Sequence, residues 1–172
     1  MKKIIVVSDT HLSEWCLPEK LLDLMENADL IVHAGDFDSY KVYKKFRSYE
    51  LKAVSGNMDD DKIKEELPKV ETFKIEGVKF GLVHKGNYLN DFSDLGYKAL
   101  ELDVNFLIFG HIHRFVVEDF KKAVLLCPGS PTKPRLSAAS CAEITVDGSK
   151  VNVRCHIVQN LFCGMNALEG FR

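Results

Sequence analysis

An α/β fold is predicted for this 172-residue chain by three features of its sequence. Runs such as Ile4-Ile5-Val6-Val7 and Leu30-Ile31-Val32 lack polar alternation, which marks strands buried on both faces of a helix-covered parallel sheet. Segments with helical spacing alternate with those runs through the first half of the chain, the rhythm of right-handed βαβ crossovers. The last third changes to strand-like runs joined by tight turns, which reads as antiparallel hairpins forming or joining a second sheet.

Taken in order, the first strand ends at Ser8-Asp9-Thr10-His11, just where an open α/β sheet presents its ligands. A carboxylate and an imidazole so placed suit a divalent metal, although an aspartate there also suits a turn cap. Leu17, Leu21, Leu22, Leu24 and Met25 then fall at helical spacing, with Pro18 and Glu19 suited to a first turn. The strand Leu30 to Val32 runs into His33-Ala34-Gly35-Asp36. Asp38 or Ser39 can cap the next helix, which carries Val42, Tyr43 and Phe46. A third strand, Leu51 to Val54, leads to Ser55-Gly56-Asn57-Met58-Asp59. The charged stretch Asp60 to Glu66 reads as a short solvated helix stopped by Pro68.

Glu76-Gly77 predicts a hairpin between Thr72–Ile75 and Val78–Val83, whose second strand ends at His84. A helix begins near Ser93, and the strand Phe106 to Phe109 ends in Gly110-His111-Ile112-His113. The later runs are Phe115 to Phe120, Val124 to Leu126, Cys141 to Val146 and Val151 to Val158, with turns at Lys121-Lys122 and Asp147-Gly148. Between them lies a proline-rich loop, Cys127 to Arg135. The tail from Gln159 to Arg172 shows no periodicity and is unassigned within a single domain of residues 1–172.

Charged residues at 28% and hydrophobic ones at 46% are ordinary for a globular protein, and a net charge of −2 gives no footprint for duplex nucleic acid. No stable nucleic-acid complex is expected. No stretch approaches the roughly 20 apolar residues that span a bilayer, and Asp9 and His11 cut short any signal-peptide core, so a cytoplasmic, membrane-free protein is expected. Five scattered cysteines (Cys16, Cys127, Cys141, Cys155, Cys163) without Cys-x-x-Cys spacing read as free thiols. The chain has no phosphate-loop, dinucleotide-binding or nucleophile-elbow motif, which removes nucleotide triphosphatases, dinucleotide enzymes and serine hydrolases.

Collected, the strand ends offer Asp9, His11, Asp36, Asn57, His84, His111 and His113. Seven nitrogen and oxygen donors are too many for one metal and suit two that share a bridging carboxylate. Asp-x-His, Gly-Asp, Gly-Asn-x-Asp, His and Gly-His-x-His in this order resemble the calcineurin-like metallophosphoesterases, in particular their small single-domain bacterial and archaeal phosphodiesterases. With Pro128-Gly129-Ser130, which is similar to a later segment of those proteins, the likeness covers about four fifths of the chain.

The resemblance implies an α/β/β/α sandwich of two mixed β-sheets flanked by helices. It implies one metal on Asp9, His11, Asp36 and His113 and another on Asp36, Asn57, His84 and His111, the last four also serving catalysis. Manganese is the metal it favours, with nickel, cobalt, zinc, ferrous iron or magnesium as alternatives. The reaction it implies is hydrolysis of a phosphodiester, in a small molecule or nucleotide, by in-line attack of a hydroxide bridging the two ions. Self-association is compatible with the family.

Two positions depart from the pattern. Met58 stands where many relatives carry a histidine thought to serve the leaving group, and methionine transfers no proton. Lys85 stands where a glycine is common, and its side chain faces either substrate phosphate or water. Two other readings remain: an interaction scaffold like the retromer subunit of this fold, and a phosphomonoesterase. His33 is read as a core residue or an orienter of a ligand, Asp59 as bonded to its own loop, and Ser130 and Arg135 as either loop braces or phosphate contacts.

Overall fold

The computed structural model describes residues 1–86, 91–162 and 165–166. Strands β1 (Lys2–Val7), β2 (Leu30–His33) and β3 (Leu51–Ala53) pair in parallel, connected by helices α1 (Glu19–Glu26) and α2 (Tyr40–Phe46). Helix α3 (Asp61–Glu66) leads into the hairpin β4 (Val70–Ile75) and β5 (Val78–Val83). Its turn is Glu76-Gly77, with φ of 46° and 94°, the left-handed pair that a two-residue hairpin turn demands. Helix α4 (Ser93–Glu101) and β6 (Phe106–Ile108) follow, then β7 (Phe115–Phe120), β8 (Ala123–Pro128), β9 (Ala138–Asp147), β10 (Lys150–Phe162) and β11 (Met165–Asn166).

Two mixed sheets result, ordered β11-β10-β9-β1-β2-β3 and β4-β5-β6-β8-β7. The late hairpins divide between them. β7–β8 joins the second sheet, whereas β9 pairs antiparallel with β1 and carries β10 onto the first. The unassigned tail begins as part of β10, and β11 pairs back on its end; residues 163–164 and 167–172, Cys163 included, lie outside the described residues.

Burial on both faces accounts for the unbroken apolar runs. Ile4 and Val6 face the second sheet, packing with Val32, Phe80, Leu82, Ile108 and Ile144 between the sheets. Ile5 and Val7 point the other way, under α1, α2 and α3, against Leu21, Met25, Phe37, Phe46 and Ile63. Helix α4 covers the outer face of the second sheet through Leu95 and Ala99 on Leu107, Phe109 and Leu125. The layering is α/β/β/α, as expected.

One capping assignment is corrected. Neither the Asp38 nor the Ser39 side chain caps the first turn of α2; the Tyr40 amide donates instead to Asp60 Oδ2 at 2.8 Å. Asp60 Oδ1 accepts from the Ile63 amide at 3.0 Å, so one carboxylate caps both α2 and α3. Cys16, Cys127, Cys141 and Cys155 are free thiols, and among the described residues no helix is long and apolar enough to cross a membrane.

Candidate metal centre

The carboxyl ends of β1, β2, β3, β5 and β6 meet at one rim, and the loops they open bring all seven predicted donors together. Asp9, His11 and His113 form one cluster and Asp36, His84 and His111 another, with the donor atoms of each within 4.8 Å of one another. Asp36 reaches both: its Oδ2 lies 3.6 Å from His11 Nε2 and 3.2 Å from His84 Nε2. Asn57 Oδ1 stands 3.0 Å from His84 Nε2, and His113 Nε2 is 3.3 Å from Asp9 Oδ1.

The backbone bends sharply to achieve this. Asp9, His11, Asp36, His111 and His113 have φ of 54°, 44°, 60°, 74° and 56°, the left-handed region that non-glycine residues seldom enter. Small neighbours allow the crowding. A Cβ on Gly56 would collide with the Asp36 carboxylate, and one on Gly110 with the Ser8 hydroxyl.

Hydrogen bonds fix three of the four rings. His11 Nδ1–H donates to Asp38 Oδ1 (2.8 Å), His84 Nδ1–H to the Ala34 carbonyl (2.8 Å) and His113 Nδ1–H to the Lys133 carbonyl (2.6 Å). Donation through Nδ1 leaves the Nε2 of each of these three rings facing inward, the atom that binds a metal once it carries no proton. His11 Nε2 and His113 Nε2 face one another at 3.2 Å beside Asp9 and Asp36. So many acceptors facing each other across a buried space are complementary to cations, and the donor set therefore fits a pair of divalent ions.

The carboxylates are likewise held. Asp9 accepts from the Ser8 hydroxyl (2.6 Å) and the His111 amide (2.9 Å), and Asp36 Oδ1 accepts from the Met58 amide (2.7 Å). Burial pushes the Asp9 carboxyl up to about 6, against the pull of His84, the Ser8 hydroxyl and the His111 amide. For Asp36 burial acts in the same direction, but the hydrogen bond and charge of His84 outweigh it and hold the group below the usual carboxylate range. His84 is raised above ordinary imidazole because Asp36 overcomes its burial. Burial takes His113 down to about 4 and, with the neighbouring charges of His84 and Lys85, also lowers His111.

His33 is a core residue that also braces the site. It is fully buried, stacked on Phe37 at 3.5 Å, and its ring nitrogens meet Thr10 Oγ1 and the Gly35 amide, both at 3.2 Å. Ser130 is a loop brace rather than a phosphate contact: it is fully buried, donates to the Asp9 carbonyl at 2.7 Å and accepts from the Lys133 amide. Arg135 lines a cleft of about 590 Å³ beside His111, together with Phe92, Ile112 and Arg114. A second cleft, of about 430 Å³, opens at Asn57, His84 and Lys85.

Asp59 is the residue whose part the sequence understates. It accepts from the Gly56 amide of its own loop (2.7 Å) and from Phe37 (2.6 Å), Asp38 (2.9 Å) and Asp36 (3.3 Å) across the rim. This clamp joins the loop that carries Asp36 to the loop that carries Asn57. A buried aspartate closing the Gly-Asn-x-Asp segment was the available signal, but its partners belong to a different strand end.

Comparison with known proteins agrees with this geometry. Residues 1–149 match the family model of the calcineurin-like phosphoesterase superfamily domain. A probable metallophosphoesterase of Methanothermobacter thermautotrophicus is 36% identical over 151 residues, covering 86% of this chain and 87% of that protein. A phosphodiesterase of Methanocaldococcus jannaschii is 28% identical over 144 residues, 74% of this chain and 82% of that one. Among solved structures, Vps29 of Chaetomium thermophilum superposes with a TM-score of 0.76 at 21% identity, over 91% of this chain and 96% of its own. By sequence match and by fold, this chain belongs to the calcineurin-like phosphoesterase superfamily.

Proposed function

We propose that this protein is a divalent-metal-dependent phosphodiesterase acting on small-molecule or nucleotide esters. In this reading Asp9, His11, Asp36 and His113 hold one ion, and Asp36, Asn57, His84 and His111 hold the other. The observation that carries it is the inward convergence of imidazole Nε2 atoms and carboxylate oxygens, with His11, His84 and His113 locked from behind by their Nδ1–H. When bound, two divalent ions make water nucleophilic near neutral pH and offset the charge gathering on phosphoryl oxygens. Manganese is the metal the family resemblance favours; the carboxylate and amide oxygens suit it, while the four imidazoles equally suit nickel, zinc or ferrous iron.

The chain's own residues supply the rest. The Met58 amide holds Asp36 Oδ1, so that Oδ2 faces both clusters. Asp38, Ala34 and Lys133 oxygens keep the histidines from rotating and prepay the ordering cost of the site. Two separate clefts, one beside His111 and one beside Asn57 and His84, give room for two ester substituents, which favours a diester over a monoester. The Met58 side chain is 59% exposed and has no proton to give, so acidic leaving groups are preferred. The name of the Methanocaldococcus relative supports the same substrate class.

The test is turnover of bis-p-nitrophenyl phosphate and p-nitrophenyl phosphate with manganese, nickel, magnesium or chelator. Metal-stimulated cleavage that favours the diester, and that is lost in Asp36→Ala and His84→Ala, is expected. Preferential cleavage of the monoester would make this a phosphomonoesterase. Absence of turnover with every metal would leave the scaffold reading.

A further inference from the structure

We infer that the cleft at the Asn57 and His84 side of the centre is an anion subsite, so that the preferred diester carries a second phosphate group on one of its substituents. The inference rests on the diesterase reading above and names its substrate more narrowly. Three lysines converge on this cleft of about 430 Å³ from separate parts of the fold: Lys64 from α3, Lys69 from the start of the β4 hairpin, and Lys85 directly after the β5 histidine. They share its wall with Ser55, Asn57 and His84, so the charges border the reacting position itself.

No acidic side chain lines the cleft among the described residues, and none of the three lysines is in an ion pair there. The cleft on the His111 side differs: Arg114 and Arg135 are balanced by Asp91 and Glu118. In a chain of net charge −2, three unbalanced cations beside one half of the centre are a local concentration of positive field. Three ammonium groups on long stems, spread around a pocket large enough for a phosphate and part of its ester, match a multiply charged phosphate better than a neutral or singly charged ester arm.

The metal-free protein gives a readout independent of turnover. Calorimetric titration with thymidine 3′,5′-bisphosphate and thymidine 5′-phosphate should show the bisphosphate bound roughly tenfold or more tightly, about what three exposed charge pairs supply together. That preference should fall to near unity in Lys64→Gln/Lys69→Gln/Lys85→Gln, shrink with added salt, and persist in the distant control Lys44→Gln/Lys150→Gln. With manganese, thymidine 3′-phosphate 5′-(p-nitrophenyl phosphate) should exceed its unphosphorylated counterpart in kcat/KM by a similar ratio. Equal binding of the two nucleotides, or a preference that survives the triple substitution, overturns the inference. Cleavage of both chromogenic esters at equal efficiency removes the subsite and leaves the diesterase reading standing, whereas cleavage of neither removes both.

Discussion

Replacing Asp59 with alanine should destabilise the fold and loosen the metal centre without removing a metal ligand. The carboxylate is 2% exposed and accepts four backbone amides, from Asp36, Phe37, Asp38 and Gly56, at 2.6 to 3.3 Å. A hydrogen bond to a charged group contributes about 1.5–3 kcal/mol net, so four would suggest about 6–12 kcal/mol if they were additive. They are not additive, because burial of the charge acts against them. Burial outweighs the amide bonds sufficiently to hold the Asp59 carboxyl above its ordinary range. Alanine removes the charge together with its desolvation cost, and a water entering the vacated space re-pairs some of the amides. The expected loss is about 3 kcal/mol, the size seen when one member of a buried network is deleted. Urea unfolding of the metal-free protein measures it as a lower midpoint at unchanged slope. Metal titration should still reach two ions per chain, at weaker affinity, since Asp36 and Asn57 remain but their loops are no longer joined. A midpoint shift worth less than about 1 kcal/mol would refute the clamp, and loss of one ion from the stoichiometry would make Asp59 a ligand instead.

Metal affinity should fall as pH drops through about 6. Burial has raised Asp9 to about 6 in the metal-free fold and Asp36 has raised His84, so below those values uptake of an ion must displace their protons, whereas above them the ligands are already free. His113, lowered to about 4, is deprotonated throughout that window and contributes no slope. Calorimetry in buffers of different ionisation enthalpy reads the protons released, and an affinity flat from pH 5 to 7 would contradict the assignment. Met58→His should raise turnover of esters with poor leaving groups by roughly ten- to a hundredfold while changing p-nitrophenyl esters little, because only the former need a proton donor. A Brønsted plot against leaving-group pKa would show a shallower slope, and an unchanged slope would mean that the position does not face the leaving oxygen.

The sequence carried the framework because its strongest signals are local. Ile4 to Val7 has no polar alternation because Ile4 and Val6 face one core and Ile5 and Val7 another. The donors could be read for a related reason: each closes an apolar run at its carboxyl end, and that position alone puts Asp9, Asp36, Asn57, His84 and His111 on one rim. What escaped was pairing between distant segments. The hairpin of β9 and β10 has the same periodicity whichever sheet it joins, and only the match of Ile4 to Ile144 across β1 and β9 decides. Asp60 caps α2 from across a loop, although Ser39 occupies the expected sequence position. Asp59 was legible as a loop residue through its bond to Gly56, but its three contacts with the Asp36 loop depend on how β2 and β3 lie together.

The left-handed backbone at five donors is best understood as part of this rim's chemistry. An L-residue in that region costs about 1 kcal/mol, and glycine would relieve most of it. The chain does place glycine at Gly35, Gly56 and Gly110, directly beside donors, but keeps aspartate or histidine at Asp9, His11, Asp36, His111 and His113 themselves. Glycine has no carboxylate or imidazole to offer, so the strained positions are those where relief would remove the donor. The fold meets that cost through bonds reaching the same residues from behind. The Ser130 hydroxyl donates to the Asp9 carbonyl, the Arg135 amide to the His113 carbonyl, and the His11 amide to the Asp36 carbonyl. The proline-rich loop after β8 therefore acts as a brace that keeps the tight turns closed, and this is why Ser130 is buried beneath the rim instead of standing at its surface.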